Sequence, residues 1–195
     1  LTVTKAELRR TLRRRRAVLP EADRAAWSRA ITRHALRLVA AAGPPDAVLV
    51  YAAVGSEVDT DALIDALLQR GQAVALPRIT DAAGGRMQAV HIASRDELKV
   101  GPMGVRQPGV GGAGGVIDRP GLILVPGVGF GPGGERLGQG GGFYDRYLAD
   151  RADALTVGLA FAAQRDQAVA DVAEPHDRRV RVLVTEAGVT RFAER

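Results

Sequence analysis

The sequence predicts an α/β fold: a single domain with a largely parallel central sheet flanked by helices, and a basic helical hairpin at its N-terminal end. Three observations carry this. From residue 47 onward, short continuous apolar runs alternate with helical patterns, as strands buried on both faces do. The first forty residues lack such runs and show helical spacing instead. The chain has 195 residues, 46% hydrophobic and 25% charged, which suits one globular domain whose core needs no disulfide or structural metal.

Taken in order, Thr4-Lys5-Ala6-Glu7 has the form of a capping box, so a helix is expected from there to about Val18, stopped before Pro20. Its apolar side is narrow: Leu8, Leu12 and Leu19. A second helix is expected over about 21–41, with Trp27, Ala30, Ile31, His34 and Leu38 on one face and Gly43-Pro44-Pro45 closing it. AVLVY at 47–51 reads as the first strand. A helix from Thr60 through Leu63, Ile64, Leu67 and Leu68 ends at Gly71. Further strands are expected at 73–77, 87–92, 122–126, 155–161 and 180–185. The run from Gly109 to Gly115 carries no polar side chain and reads as a surface loop.

Composition excludes several chemistries. There is no cysteine, hence no disulfide framework, thiolate zinc site or cysteine nucleophile, and a reducing cytoplasm is the expected setting. No apolar run approaches the ~20 residues that cross a bilayer, and the arginine-rich start lacks the apolar stretch of a secretory signal. No G-x-S-x-G elbow is present. Residues 1–40 hold 11 Lys+Arg against 3 Asp+Glu, whereas the other 155 hold 16 against 19. The excess of positive charge therefore lies in the helical hairpin, where it reads either as a solvated arginine face or as an anion-binding one. With a mildly acidic body and few aromatics (Phe 4, Tyr 3, Trp 1), a nucleic-acid partner is not expected.

Glycines point to the site. Of 24, 15 lie between Gly109 and Gly142, and most of these follow the strand LILVP in PGVGFGPGGERLGQGGGFYDRYL. Ligands in open α/β sheets bind beyond the carboxyl ends of strands. Glycines let backbone N–H groups turn toward an anion, and a helix beginning near Gly141 or Gly142 would add its dipole, with Arg136 as a fixed charge. As a bare pattern, the same stretch also fits a tight turn into a helix. Gly129, Gly131 and Gly134 match G-x-G-x-x-G, yet no acid-ended second strand follows, and no Gly-Lys pair makes a Walker loop. A second constellation, Tyr51 to Glu57, lies after the first strand; Glu57 reads as a pocket carboxylate or as a solvated loop acid. Lys5 and Arg9 share a helix face, extended by Arg13 and Arg16, and such paired cations can clamp a polyphosphate. Asp145 and Asp177 are candidate magnesium ligands, or simply helix-end and surface acids. His34, His91 and His176 show no ligand spacing.

KAELR near the start, YAAVGSEVDT, MGVRQP, and LILVPGVGFGPGGERLGQGGGFYDRYL followed by VGLAFAAQ together resemble the 5-formyltetrahydrofolate cyclo-ligase family over nearly the whole chain. RLGQGGGFYDR is the most specific of these. The resemblance implies ATP- and magnesium-dependent closure of 5-formyltetrahydrofolate to 5,10-methenyltetrahydrofolate, releasing ADP and phosphate. It implies that Lys5, Arg9 and the loop Arg136, Leu137, Gly138, Gln139, Gly140, Gly141, Gly142, Phe143 and Tyr144 hold ATP. It further implies that Ala52, Glu57, Met103 and the segment from Gln139 to Phe143 border the folate, and that Asp145, with Asp177, binds the metal. Arg136, Tyr144 and Asp145 would be the catalytic set. Two departures stand out: Met103 takes a place where some relatives carry tryptophan, and Gly141 one where others carry lysine. A monomer acting on small molecules is expected. The alternatives are a nucleic-acid-associated protein using the run from Arg13 to Arg16, or a sugar-phosphate- or CoA-transferring enzyme of similar architecture.

Overall fold

A computed structural model describes residues 3–41, 43, 45–109 and 114–193. Seven strands form the central sheet: β1 (Val48–Leu49), β2 (Val74–Asp81), β3 (Arg86–Ile92), β6 (Leu122–Val125), β9 (Leu155–Leu159), β10 (Val182–Thr185) and β11 (Gly188–Arg191). Their order is β11-β10-β9-β6-β1-β2-β3; neighbours from β10 to β2 run parallel, while β3 and β11 close the edges antiparallel. Every strand expected from the sequence is present, and β11 is the addition. Two small hairpins stand outside the sheet, β4 (Leu98–Val100) with β5 (Arg106–Pro108), and β7 (Gly129–Phe130) with β8 (Arg136–Leu137).

Strand alternation divides the core. Val48, Val50, Leu122, Leu124, Val157, Leu159, Val182 and Val184 pack with Ile31 and Leu38 of α2 (Glu21–Ala41) and with Leu63, Ile64 and Leu67 of α3 (Asp61–Gln69). Their neighbours Leu49, Ile123, Val125 and Leu183 turn to the opposite face, against Phe130 and against Tyr147 and Leu148 of α4 (Phe143–Leu148). Each such fully buried side chain stabilises the fold by about 1.5–3 kcal/mol. That burial is why the strands read as unbroken apolar runs.

Helix α1 (Lys5–Ala17) opens with the expected capping box, the Thr4 hydroxyl accepting from the Glu7 N–H and the Glu7 carboxylate accepting from the Thr4 N–H. Leu8 and Leu12 pack on Val128, on Leu137 of β8, and on Val169 of α5 (Ala168–Asp171). The approach is close: a Cβ on Gly129 would lie 2.3 Å from Leu12 Cδ1, so this glycine of the G-x-G-x-x-G pattern serves helix packing rather than a dinucleotide. The arginine run is not wholly a solvated face, because Arg16 is buried beside the two leucines.

Two loop expectations need adjustment. Helix α2 ends at Ala41 as expected, while Pro44 of its closing signal lies outside the described residues. Of the run from Gly109 to Gly115, residues 110–113 lie outside them as well. Its end is not a free loop: Gly115 accepts from the His91 N–H at 3.0 Å, Val116 bridges to Val90, and the Ile117 N–H bonds Ala89. This segment satisfies the open edge of β3, which an exposed strand would otherwise present for pairing.

Candidate active site

The strand order reverses between β1 and β6: the chain leaves β1 toward β2 on one side, and leaves β6 toward β9 and β10 on the other. Crevices outside the carboxyl ends of strands at such a switch point are where open α/β sheets bind ligands. Here a cavity of about 1140 Å³ opens, walled by Tyr51 and Ala52 after β1, Pro126 after β6, the loop from Arg136 to Asp145, and the start of α1. Lys5, Arg9, Ala52, Glu57, Met103, Arg136, Leu137, Gly138, Gln139, Gly140, Gly141, Gly142, Phe143, Tyr144, Asp145 and Asp177 all line it. Residues far apart in sequence are thus brought to one surface.

Local bonds fix each wall. The buried Thr60 hydroxyl donates to the Tyr51 carbonyl at 2.6 Å, tying the start of α3 to the end of β1. Buried Gln164 donates to the Gly127 and Val128 carbonyls at 2.9 and 3.2 Å, holding the turn after β6. Gly140 and Gly142 have φ of 109° and 67°, left-handed values that L side chains rarely adopt, and so the loop can double back before α4. With only six residues, α4 offers little of the dipole the sequence reading attached to it.

Cations and carboxylates interleave along the loop from Arg136 to Asp145 and the segment facing it. Arg136 Nη2 bonds Asp145 Oδ1 at 2.6 Å, the two side chains 3% and 19% exposed, and the Arg178 N–H reaches the same oxygen at 3.0 Å. Arg136 Nε is buried with no partner among the described residues, and so is the Tyr144 hydroxyl. Burial pushes the Tyr144 phenol far up, so it remains a neutral donor, with Arg136 5.9 Å from its ring centre opposing that shift. Lys5 bridges Asp177, at 2.6 Å, and Glu174. Burial works against the Lys5 charge, but the hydrogen bonds it donates to those carboxylates outweigh it and hold the ammonium above its usual pKa. Asp177 is likewise held below the usual carboxylate range: burial opposes its charge, and bonds from Lys5 and the Glu174 N–H prevail. Arg9 Nε donates to the Gly138 carbonyl at 2.9 Å, and Arg13 binds both the side chain and the carbonyl of Gln139.

Across the cavity, Glu57 is neither a solvated loop acid nor free. Its carboxylate accepts from the Val54 N–H at 3.1 Å and from Gln139 Nε2 at 3.2 Å, and Arg16 lies 3.9 Å away. Met103 sits at the tip of the β4–β5 hairpin with φ of 59°, 64% exposed. The hairpin is strapped to α3 by Arg106 and Arg95, both bonded to Asp61, with Arg95 also bidentate on Asp65.

The sequence profile of the 5-formyltetrahydrofolate cyclo-ligase family matches residues 1–186. The chain belongs to that family. Similar relatives include a 5-formyltetrahydrofolate cyclo-ligase of Mycolicibacterium smegmatis, 35% identical and aligned over 95% of this chain and 96% of its own. One from Escherichia coli K12 is 31% identical over 69% of this chain and 74% of its own. In three dimensions the chain resembles the NMR structure of a 5,10-methenyltetrahydrofolate synthetase from Aquifex aeolicus, with a TM-score of 0.80 at 29% identity, covering 98% of this chain and 94% of that one. These relatives are enzymes, and so is this member of the cyclo-ligase family.

Within this cyclo-ligase cavity the sequence reading missed several residues. Arg146 donates to the Gly141 carbonyl at 2.7 Å and lines the cavity, adding a cation beside the loop. Glu174 and His176 join Asp177 in a group whose ligand atoms lie within 4.8 Å of one another. The signal for these lay only in their nearness to Asp177. The Arg16 contact with Glu57 had none, since buried and solvated arginines look alike within an arginine run.

Proposed function

We propose that the chain, acting as one domain, converts 5-formyltetrahydrofolate to 5,10-methenyltetrahydrofolate at the expense of ATP, with magnesium, releasing ADP and phosphate. The observation that carries the reading is the shared cavity at the switch point, cationic on one side and, across from it, lined by Ala52, Met103 and a single fixed carboxylate, Glu57. In this reading Lys5, Arg9, Arg136 and the amides of the loop from Leu137 to Tyr144 hold the phosphates. Arg13 and Arg146 supply the charge that relatives with lysine at the Gly141 position place there. Glu57 binds polar N–H groups of the pterin, with Ala52, Met103 and the segment from Gln139 to Phe143 around it.

The chemistry needs no protein nucleophile. A formamide carbon is a poor electrophile because its nitrogen donates into the carbonyl. Transfer of the terminal phosphoryl group to the formyl oxygen converts that oxygen into a leaving group. The neighbouring folate N–H nitrogen then attacks the same carbon and gives up its proton to solvent, the C–O bond breaks as phosphate departs, and the new ring carries the positive charge. Because nucleophile and electrophile belong to one molecule, positioning supplies much of the rate. Arg136 and the neutral Tyr144 hydroxyl stabilise charge on the transferring group. The residues present fit a metal: Asp145 Oδ1 is committed to Arg136 and the Arg178 N–H, leaving Oδ2 for a cation, with Asp177 on the adjoining segment. Magnesium, when bound, offsets negative charge on the phosphate oxygens.

Against a nucleic-acid role, Arg13, Arg15 and Arg16 are turned onto Gln139, Asp166 and Ser56 rather than held as a free surface. Among the described residues no helix is long and apolar enough to cross a membrane. In this reading the enzyme acts as a monomer in the cytoplasm. Mixing the purified protein with 5-formyltetrahydrofolate, ATP and magnesium should produce the methenyl-folate absorbance, dependent on both nucleotide and metal. Absence of product across nucleotides and metals overturns the assignment.

A further inference from the structure

Helix α1 touches both lips of the cavity, and Arg16 is its contact with the lip opposite the nucleotide loop. The guanidinium is enclosed: its side chain is 7% exposed, Nε donates to Ser56 Oγ at 3.1 Å, and Nη1 lies 3.9 Å from Glu57 Oε1. Glu57 itself is 11% exposed. Burial alone would leave such a carboxylate poorly solvated and free to turn away. Its hydrogen-bond donors are the Val54 N–H, from its own loop, and Gln139, whose amide belongs to the loop that must also admit ligand. Arg16 is no hydrogen-bond donor to Glu57 at 3.9 Å, but it is the neighbour that carries a positive charge and reaches Glu57 from outside both loops. Burial draws the Arg16 pKa below its ordinary value, and the neighbouring Glu57 charge opposes that shift.

We propose that Arg16 is a positioning residue for Glu57, holding its carboxylate aimed into the cavity so that the enzyme binds formyl-folate, without touching the substrate itself. The inference rests on Glu57 being the folate-binding carboxylate. It also accounts for a charged side chain at a core position of α1, next to Leu8 and Leu12, where an apolar residue would pack at lower cost.

The test is steady-state kinetics of Arg16→Met in the full chain, with folate and ATP varied separately. The KM for 5-formyltetrahydrofolate should rise about tenfold or more, and the KM for ATP should stay within about twofold. Arg16→Lys, which keeps the charge but not the fork, should give an intermediate folate KM. In a Glu57→Gln background, Arg16→Met should add less than about twofold, since the two act through one contact. A purely structural arginine would disturb both substrates, because Lys5 and Arg9 sit on the same helix. Equal rises in both KM values, or full additivity with Glu57→Gln, overturns the proposal. If Arg16→Met does not fold, Ser56→Ala frees the guanidinium and should raise the folate KM about threefold; an unchanged folate KM overturns the proposal too. Wild-type protein that does not turn over formyl-folate at all sinks the functional reading itself, whereas wild-type turnover with an indifferent Arg16 sinks only this inference.

Discussion

Replacing Asp145 with alanine removes one half of a largely buried ion pair in the cavity. Arg136 is 3% exposed and Asp145 19%, with 2.6 Å between Nη2 and Oδ1. Unit charges about 4 Å apart attract by about 4 kcal/mol at an effective dielectric constant near 20. Deleting one partner of a buried pair costs about 3–5 kcal/mol, because the other charge is left without solvent or counter-ion. The water contact of Asp145 puts Asp145→Ala at the lower figure, about 3 kcal/mol. For a chain of this size that lowers Tm by about 6–12 °C. Asp145→Asn keeps an oxygen for the Arg178 N–H and should lose about half as much. The assay is thermal unfolding followed by far-ultraviolet circular dichroism, with Arg136→Met and the double variant closing a cycle whose coupling should be about 1–3 kcal/mol. A fall of less than about 2 °C for Asp145→Ala, or no coupling, refutes the account of the pair. The same variant examines the metal: wild-type turnover by Asp145→Ala at limiting magnesium removes Asp145 from the proposed ligand set.

Asp177 has a depressed folded pKa, so its contribution to stability is present above about pH 4 and is lost as pH falls through the folded value; Lys5, raised, contributes below about pH 10 and loses that contribution as pH rises further. The Tm gap between wild type and Lys5→Met should therefore be flat from about pH 5 to 9 and shrink on acidification; a gap that grows in acid contradicts this sign. Met103→Gly should relieve its left-handed backbone by about 1 kcal/mol, raising Tm by about 2–4 °C while weakening folate binding; a lower Tm would show the φ is not strained. Asp61→Asn loosens partly exposed pairs, so Tm should fall by only about 2–4 °C while the folate KM rises as the hairpin slackens; an unmoved KM detaches the hairpin from binding. In Gly141→Lys, the new Cβ would come 2.8 Å from the Phe143 ring, so the lysine of relatives should be accepted only with loss of folate affinity, read by titration.

The central sheet was legible because its strands are buried on both faces and leave unbroken apolar runs. β11 was not, since its residues alternate between half-buried and exposed and its partner is the preceding strand two residues back. The loop from Arg136 to Asp145 was legible as a site through its glycines, its charge and its position after LILVP. What joins it to the rest was not. Asp61 meets Arg106 across 45 residues and Gln139 meets Glu57 across 82, and no local pattern records which acid will find which base. Gly129 shows the converse: a motif letter whose meaning is the distance to a leucine on another helix.

Helix α1 has a further consequence, in the order in which the molecule can be made. Lys5 finds Asp177 across 172 residues of a 195-residue chain, and Arg9 finds Gly138 across 129. As the chain emerges from the ribosome, the parallel sheet can begin to assemble before either partner exists, while α1 must wait for Lys5's partner until residue 177 has been synthesised. Helix α1, made before the sheet, is thus among the last of these elements to dock, and the cavity is complete only once residue 177 is in place. A product stalled or cut before Asp177 would lack β10 and β11 yet keep the parallel strands from β2 to β9, and Lys5 would have no Asp177 to hold its end of the site.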